Sequence, residues 1–239
     1  MEGTFDKSGS FVASQFRNPK ENRPAWVGPA VTVSHQTGAG AHEIANQLAE
    51  ILQAAEPKGA PSWSVLDREL VEKALEEHHL PTGLAKKMPE DRRSYLEDIL
   101  DDLFGLRPPS WVLVPQIVET MLHVAAAGHV VLIGRGATVV TARLPNVFHV
   151  RLIASLAVRI GRVQARHHLT IEEATRLVEK EDRGRRRYAR ANFHVRLENE
   201  LLYHLVVNTD HLAFADAAAV IAEAATRYFR RSSDGTRPS

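Results

Sequence analysis

Near the start of the chain, Ala30-Val31-Thr32-Val33-Ser34 is a short β-branched run of the kind that forms a strand buried on both faces. Gly38-Ala39-Gly40 follows it at once. Ile44, Leu48, Ile51 and Leu52 then recur at helical spacing until Pro57 and Gly59 close the segment. A buried strand, a glycine turn and a helix in direct succession are the opening of a strand–crossover–strand unit, and parallel pairing with right-handed crossovers follows if the alternation continues.

It does continue. Trp63-Ser64-Val65-Leu66 reads as a second strand leading into a helix through about His79, with Pro81-Thr82-Gly83 as a turn. Helices from Asp91 to Phe104 and from Ser110 to Ala127 cross back, and Gly128 stops the second of them. Val130 to Ile133 is the third strand, Val147 to Leu152 the fourth and Tyr203 to Asn208 the fifth. A long helical stretch separates the last two, and within it Thr170-Ile171-Glu172-Glu173 has the spacing of a hydroxyl cap answered by a Glu three residues later. An Ala-rich helix from about Phe214 to Phe229 ends the ordered part. The expected class is α/β, with one domain over residues 28–230 and polar tails at 1–27 and 231–239.

Composition narrows the function classes. Apolar residues are 44% and charged residues 25% of the 239, the proportions of an ordinary globular protein. Thirty Lys and Arg against 29 Asp and Glu leave a net charge of +1, so neither nucleic acid nor an anionic membrane is expected as a partner of the whole surface. The absence of Cys excludes disulfides, thiolate metal sites and Cys nucleophiles. No apolar run approaches a bilayer span and the first 26 residues lack a signal-peptide pattern, so the expected location is cytoplasmic. His78-His79 and His167-His168 are adjacent pairs without the i, i+4 spacing of a metal site, and no protein-held metal is expected.

Three segments carry chemistry. Thr37-Gly38-Ala39-Gly40-Ala41-His42-Glu43 lies between a strand and a helix, where glycines turn backbone N–H groups inward and the helix offers its unpaired N-terminal donors to phosphate oxygens. A Walker A loop adds a Lys and a hydroxyl, whose places here are given to Ala41 and Glu43, with His35 at the leading glycine. Taken alone, the segment is also what a tight strand-to-helix turn looks like. Gly134-Arg135-Gly136 sits at the carboxyl end of a strand, where open parallel sheets bind ligands, and Arg135 there suits a phosphate clamp. The run Glu181-Asp182-Arg183-Gly184-Arg185-Arg186-Arg187-Tyr188-Ala189-Arg190 concentrates Arg within a helical excursion. A closing lid over nucleotide phosphates explains it better than a solvated face or a nucleic-acid patch. Arg159 and Arg162 share a face of the preceding helix and can meet the same phosphates.

Taken in order, Thr32-Val33-Ser34 with Gly38-Ala39-Gly40, Ile133-Gly134-Arg135-Gly136-Ala137, Leu169 to Ala174, and Tyr203 to Asp210 resemble the cytidylate-kinase-like family over about residues 29–229. The resemblance implies a three-layer P-loop NTPase-type fold with a five-strand parallel sheet and a helical lid at about 155–195. It also implies phosphoryl transfer from ATP, with Mg²⁺, to a nucleoside monophosphate of the CMP kind. Carried over by position, Thr37 to Glu43 hold ATP phosphates, while Asp67, Arg68, Arg135 and Asp182 face the acceptor. Arg159, Arg162, Arg183, Arg186 and Arg187 supply the catalytic charge of the lid. The chain departs from cytidylate kinases proper at Ala41 and Gly136, where those have Lys and Asp. The alternative is a nucleotide-binding regulatory protein with little or no turnover.

Overall fold

The computed structural model of the protein describes residues 28–67, 114–134 and 136–233. Its elements run β1 (Ala30–His35), α1 (Ala41–Ala54), β2 (Ser64–Asp67), α2 (Val114–Ala127), β3 (Val130–Ile133), α3 (Ala137–Val140), β4 (Val147–Ile153), α4 (Leu156–His167), α5 (Ile171–Phe193), β5 (Leu205–Asn208) and α6 (Phe214–Ser233). The helices expected through His79 and from Asp91 to Phe104, together with Arg68 and Arg135, lie outside the described residues.

The five strands form one sheet in the order β2-β3-β1-β4-β5, every pair parallel. β1 is therefore central, with Ala30 opposite both Val130 and Val147. Its alternation divides the sheet into two unlike faces. Val31 and Val33 join Val131, Ile133, Phe148, Val150 and Leu152 in one apolar cluster with Ile44 and Leu48 of α1 and Ala217, Ala218 and Ile221 of α6. Ile44 and Leu48 are fully buried, each contributing about 1.5–3 kcal/mol. The other face carries Thr32 and Ser34, in register with His149 and Arg151. Helix α3 covers part of it, where Thr138 Oγ1 lies 3.2 Å from Thr32 Oγ1. Val118, Leu122 and Ala125 of α2 are buried outside the first cluster and form the third layer.

The strand-to-helix alternation is as the sequence predicts, with local differences. β5 begins at Leu205 rather than Tyr203, because Asn199 Oδ1 accepts the Leu201 N–H and sets a 3₁₀ turn over Glu200–Leu202 that delays the strand. α6 continues to Ser233, four residues past Phe229, with Arg230 and Arg231 against the negative end of its dipole. The long helical stretch is a hairpin of α4 and α5 around Val163, Ala174 and Val178. The Thr170–Glu173 cap forms in both directions and fixes the start of α5.

Candidate functional site

β1 ends by keeping register with β4 for one more residue, as the Gln36 N–H donates to Leu152 O at 3.1 Å. The chain then turns through Gly38 (φ 83°) and Gly40 (φ 85°), and Gly40 is the N-cap of α1. These conformations favour glycine, and so does the space. A Cβ on Gly38 would stand 2.6 Å from Arg159 O, and one on Gly40 2.4 Å from the Phe214 ring. No side chain caps α1, so its first N–H groups face the loop.

Three consecutive carbonyls of this turn are held from outside. Thr37 O accepts from Arg159 Nη1 at 3.1 Å, Gly38 O from Arg162 Nη1 at 3.4 Å, and Ala39 O from Thr209 Oγ1 at 3.2 Å. In a trans peptide the N–H lies opposite the C=O, so the Gly38 and Gly40 N–H groups are directed away from these partners, while the Ala39 N–H donates to Gln36 O at 3.1 Å. Two such N–H groups in one glycine turn suit an anion. Arg159 and Arg162 thus reach the loop through its carbonyls. Arg159 is 6% exposed and also donates to Ala154 O. Arg162 donates to both oxygens of Thr209 and lies 4.8 Å from the Phe214 ring centroid.

A carboxylate stands at the mouth of the loop. Asp182 Oδ1 accepts the Thr37 N–H at 2.9 Å, and its Oδ2 pairs with Arg159 Nη1 at 2.7 Å. Thr37 Oγ1 lies 2.9 Å from Asp182 Oδ1 and 3.1 Å from Glu181 Oε2, and it also accepts from Arg185 Nη1. Arg185 in turn pairs with Glu181 at 3.1 Å and Asp182 at 3.3 Å. The carboxylate is planar and singly charged, and it satisfies donors that a phosphate oxygen would also satisfy.

The structure thus brings Thr37, Gly38, Ala39, Gly40, Arg159, Arg162 and Asp182 together. Ala41 is 5% exposed and adds no polar group. Counting along the Walker pattern from His35 puts the hydroxyl position at His42, not at Glu43. His42 Nε2 lies 3.2 Å from Asp67 Oδ2, and Glu43 is paired with Arg166 of α4 at 2.5 Å. Arg183, Arg186 and Arg187 are exposed on α5, Arg183 being 3.8 Å from Glu179. Arg185 and Thr209 received no role of their own from the sequence. Arg185 is three residues from Asp182 and four from Glu181, which was the available signal. Arg151 was missed as well, although a charge inside Val147 to Ile153, a strand buried almost throughout, is conspicuous.

Among the described residues no group of three His, Cys, Asp or Glu could hold a metal ion. Phosphates suit the donors of the loop, since the Gly38 and Gly40 N–H groups lie opposite carbonyls held by Arg159 and Thr209. For Mg²⁺ the loop offers no hydroxyl after Ala41, so the ion's ligands there would be nucleotide phosphates and water. The His35 Nδ1 is buried without a hydrogen-bond partner. Burial holds its ring well below the ordinary imidazole range, helped by the charges of Arg185, His42 and Arg151.

A family model, that of the cytidylate kinase-like family, matches residues 30–211, which take in the whole sheet and the α4–α5 hairpin. The chain belongs to the cytidylate kinase-like family. Among solved structures, an uncharacterized protein from Eubacterium ventriosum shares the fold at a TM-score of 0.55. It is 14% identical, and the match covers 84% of this chain and 98% of that one. A shikimate kinase from Bacteroides thetaiotaomicron also matches, 15% identical over 87% of this chain and 99% of its own, at a TM-score of 0.41. No curated protein matches the chain. No helix among the described residues is long and apolar enough to cross a membrane.

Proposed function

We propose that this family member transfers the terminal phosphoryl group of Mg²⁺-ATP to a nucleoside monophosphate of the CMP kind. The observation that carries the reading is the Thr37–Gly40 turn, whose carbonyls are held outward while its mouth already holds an oxyanion, that of Asp182. The α4–α5 hairpin acts as the lid of a single domain over residues 28–230. On this reading Thr37 to Glu43 surround the ATP phosphates, and Arg159 and Arg162 keep the loop in shape. Arg183, Arg186 and Arg187, exposed on α5, bring positive charge to the phosphoryl group as it moves. Asp67, Arg68 and Arg135 face the acceptor, whereas Asp182, which the resemblance also assigned there, is held at the loop by Thr37 and Arg159. Transfer is an in-line displacement in which an acceptor phosphate oxygen forms the new P–O bond and ADP leaves, so positioning and charge neutralisation suffice and no covalent residue is needed.

A second reading rests on the same loop. With Ala41 in place of the Lys and Asp182 on the Thr37 N–H, the chain could bind nucleotide as a regulatory protein without turning it over. Calorimetric titration with Mg²⁺-ATP, run beside a coupled assay for ADP with CMP and other monophosphates, separates the two. Binding with ADP release that depends on a monophosphate supports the kinase, and binding without it supports the regulator. Failure of Mg²⁺-ATP and ADP to bind at millimolar concentration removes both.

A further inference from the structure

On the sheet face opposite α1, Arg151 stands beside Ser34 in the register of β4 and β1, at the carboxyl end of the central strand. It is 7% exposed. Its Nη1 donates to Ser34 Oγ at 2.7 Å, and its guanidinium carbon lies 5.8 Å from the Tyr203 ring centroid. Among the described residues these are its contacts with polar or aromatic groups, and no carboxylate there lies within ion-pair distance of it. Most other arginines near the loop meet a carboxylate, Arg159 and Arg185 at Asp182, Arg185 also at Glu181 and Arg166 at Glu43, while Arg162 is held by Gly38 O and both oxygens of Thr209. A guanidinium has five N–H donors, and leaving a buried charge without an opposite one is among the costliest arrangements in a protein. Such a group persists where it has an anion to meet.

The surroundings agree. The Tyr203 hydroxyl lies 3.4 Å from the same Ser34 Oγ and donates to Leu197 O at 3.0 Å. The residues flanking Leu197, namely His194, Val195, Arg196, Glu198 and Asn199, line a cavity of about 520 Å³, within the size range of small-ligand sites. The hydroxyl that touches Ser34 is thus bonded to the residue between two stretches of that lining, Leu197. Arg151 and Arg185 also act together on His35, so two arginines add their fields at the end of β1.

We propose that Arg151, Ser34 and Tyr203 form a second oxyanion site, separate from the Thr37–Gly40 loop, which takes the phosphate of a phosphate monoester. That this monoester is the phosphoryl acceptor rests on the kinase reading above, whereas the anion site itself does not. Arg151 then fixes which end of the acceptor enters first and selects against uncharged nucleosides.

The full chain is titrated with inorganic phosphate, CMP, cytidine and Mg²⁺-ATP, in the wild type, Arg151→Met, Arg151→Lys and Tyr203→Phe. Phosphate and CMP are expected to bind and to raise the melting temperature, and cytidine to do neither. Arg151→Met should weaken CMP and phosphate roughly ten- to a hundredfold, the worth of a hydrogen bond to a charged group, with Mg²⁺-ATP affinity unchanged. Because it removes a buried charge that meets no carboxylate among the described residues, it should leave the melting temperature without ligand unchanged or higher. Arg151→Lys should retain part of the binding. CMP affinity equal in wild type and Arg151→Met overturns the inference while leaving the kinase reading in place. Arg151-dependent phosphate binding without Mg²⁺-ATP binding upholds the site and removes the kinase reading. Should Arg151→Met fail to fold, Arg151→Lys and Tyr203→Phe decide, and undiminished CMP and phosphate affinity in both overturns the proposal.

Discussion

Replacing Asp182 by Ala takes one carboxylate from between Arg159 and Thr37. The ion pair it breaks is 2.7 Å long, with side chains only 7% and 11% exposed, and the Thr37 N–H loses its acceptor at 2.9 Å. Breaking a buried pair by deleting one partner leaves an uncompensated charge and costs about 3–5 kcal/mol. For a chain of this size that corresponds to a fall in melting temperature of roughly 6–20 °C. Urea unfolding followed by circular dichroism measures it directly, and a cycle with Arg159→Met isolates the pair. The cycle should show a coupling of at least about 1 kcal/mol, since Arg159 and Asp182 are in direct contact. Asp182→Ala unfolding within about 1 kcal/mol of wild type, or a coupling near zero, would falsify the view that this carboxylate ties α5 to the Thr37–Gly40 turn.

Three further outcomes follow from the geometry. Burial, with the His204 ring beside it, depresses His149 from 6.5 to about 3, so between those values the unfolded chain takes up a proton that the folded chain refuses. Stability should therefore be complete above pH 6.5 and fall as pH drops through the window, by up to about 1.4 kcal/mol per pH unit from this residue. Melting curves from pH 7.5 down to 4.5 should be flatter in His149→Gln; equal slopes would sink the assignment. Gly40→Ala should destabilise by at least about 1–2 kcal/mol from its φ of 85°, and Phe214→Ala should relieve only the steric part, as judged by urea unfolding of the double variant. Turnover with the best acceptor should lie below the roughly 1–100 per second of ordinary kinases, and Ala41→Lys with His42→Thr should tighten Mg²⁺-ATP binding. A wild-type rate already in that range and lowered by the double change would show that the loop works by different means.

The fold was legible because its signals are local. β-branched strands, the Thr170 cap and the alternation with helices each act over a few residues, and the sheet has the five expected strands. The glycine turn was legible for the same reason, since Gly38 and Gly40 mark left-handed positions wherever the rest of the chain lies. What the sequence could not display is which partner each charge takes. Arg159 and Arg162 share a helix face as expected, but their reach to Thr37 O and Gly38 O depends on how α4 docks. The pairing of Asp182 with Thr37 spans 145 positions and leaves no periodic trace. Arg151 differs, because a charge within an apolar strand is visible in the order of residues alone, and only the lack of a familiar motif around it concealed it.

β1 is the first strand of the described chain and the centre of the sheet, yet its two neighbours are β3 and β4, with Ala30 meeting Val130 and Val147. On a ribosome, the segment Ala30 to His35 therefore emerges long before either partner exists. It must wait as an unpaired, β-branched edge on both sides, which is the condition most open to mispairing with another chain. Closing loops of this length is slow compared with local helix formation. The glycine turn inherits the delay, because Gly38 is backed by Arg159 and Gly40 by Phe214, both later than β4. The glycine turn is thus among the last parts of the molecule to be set, and a chain cut short before α6 should carry its residues without the Phe214 ring that backs Gly40.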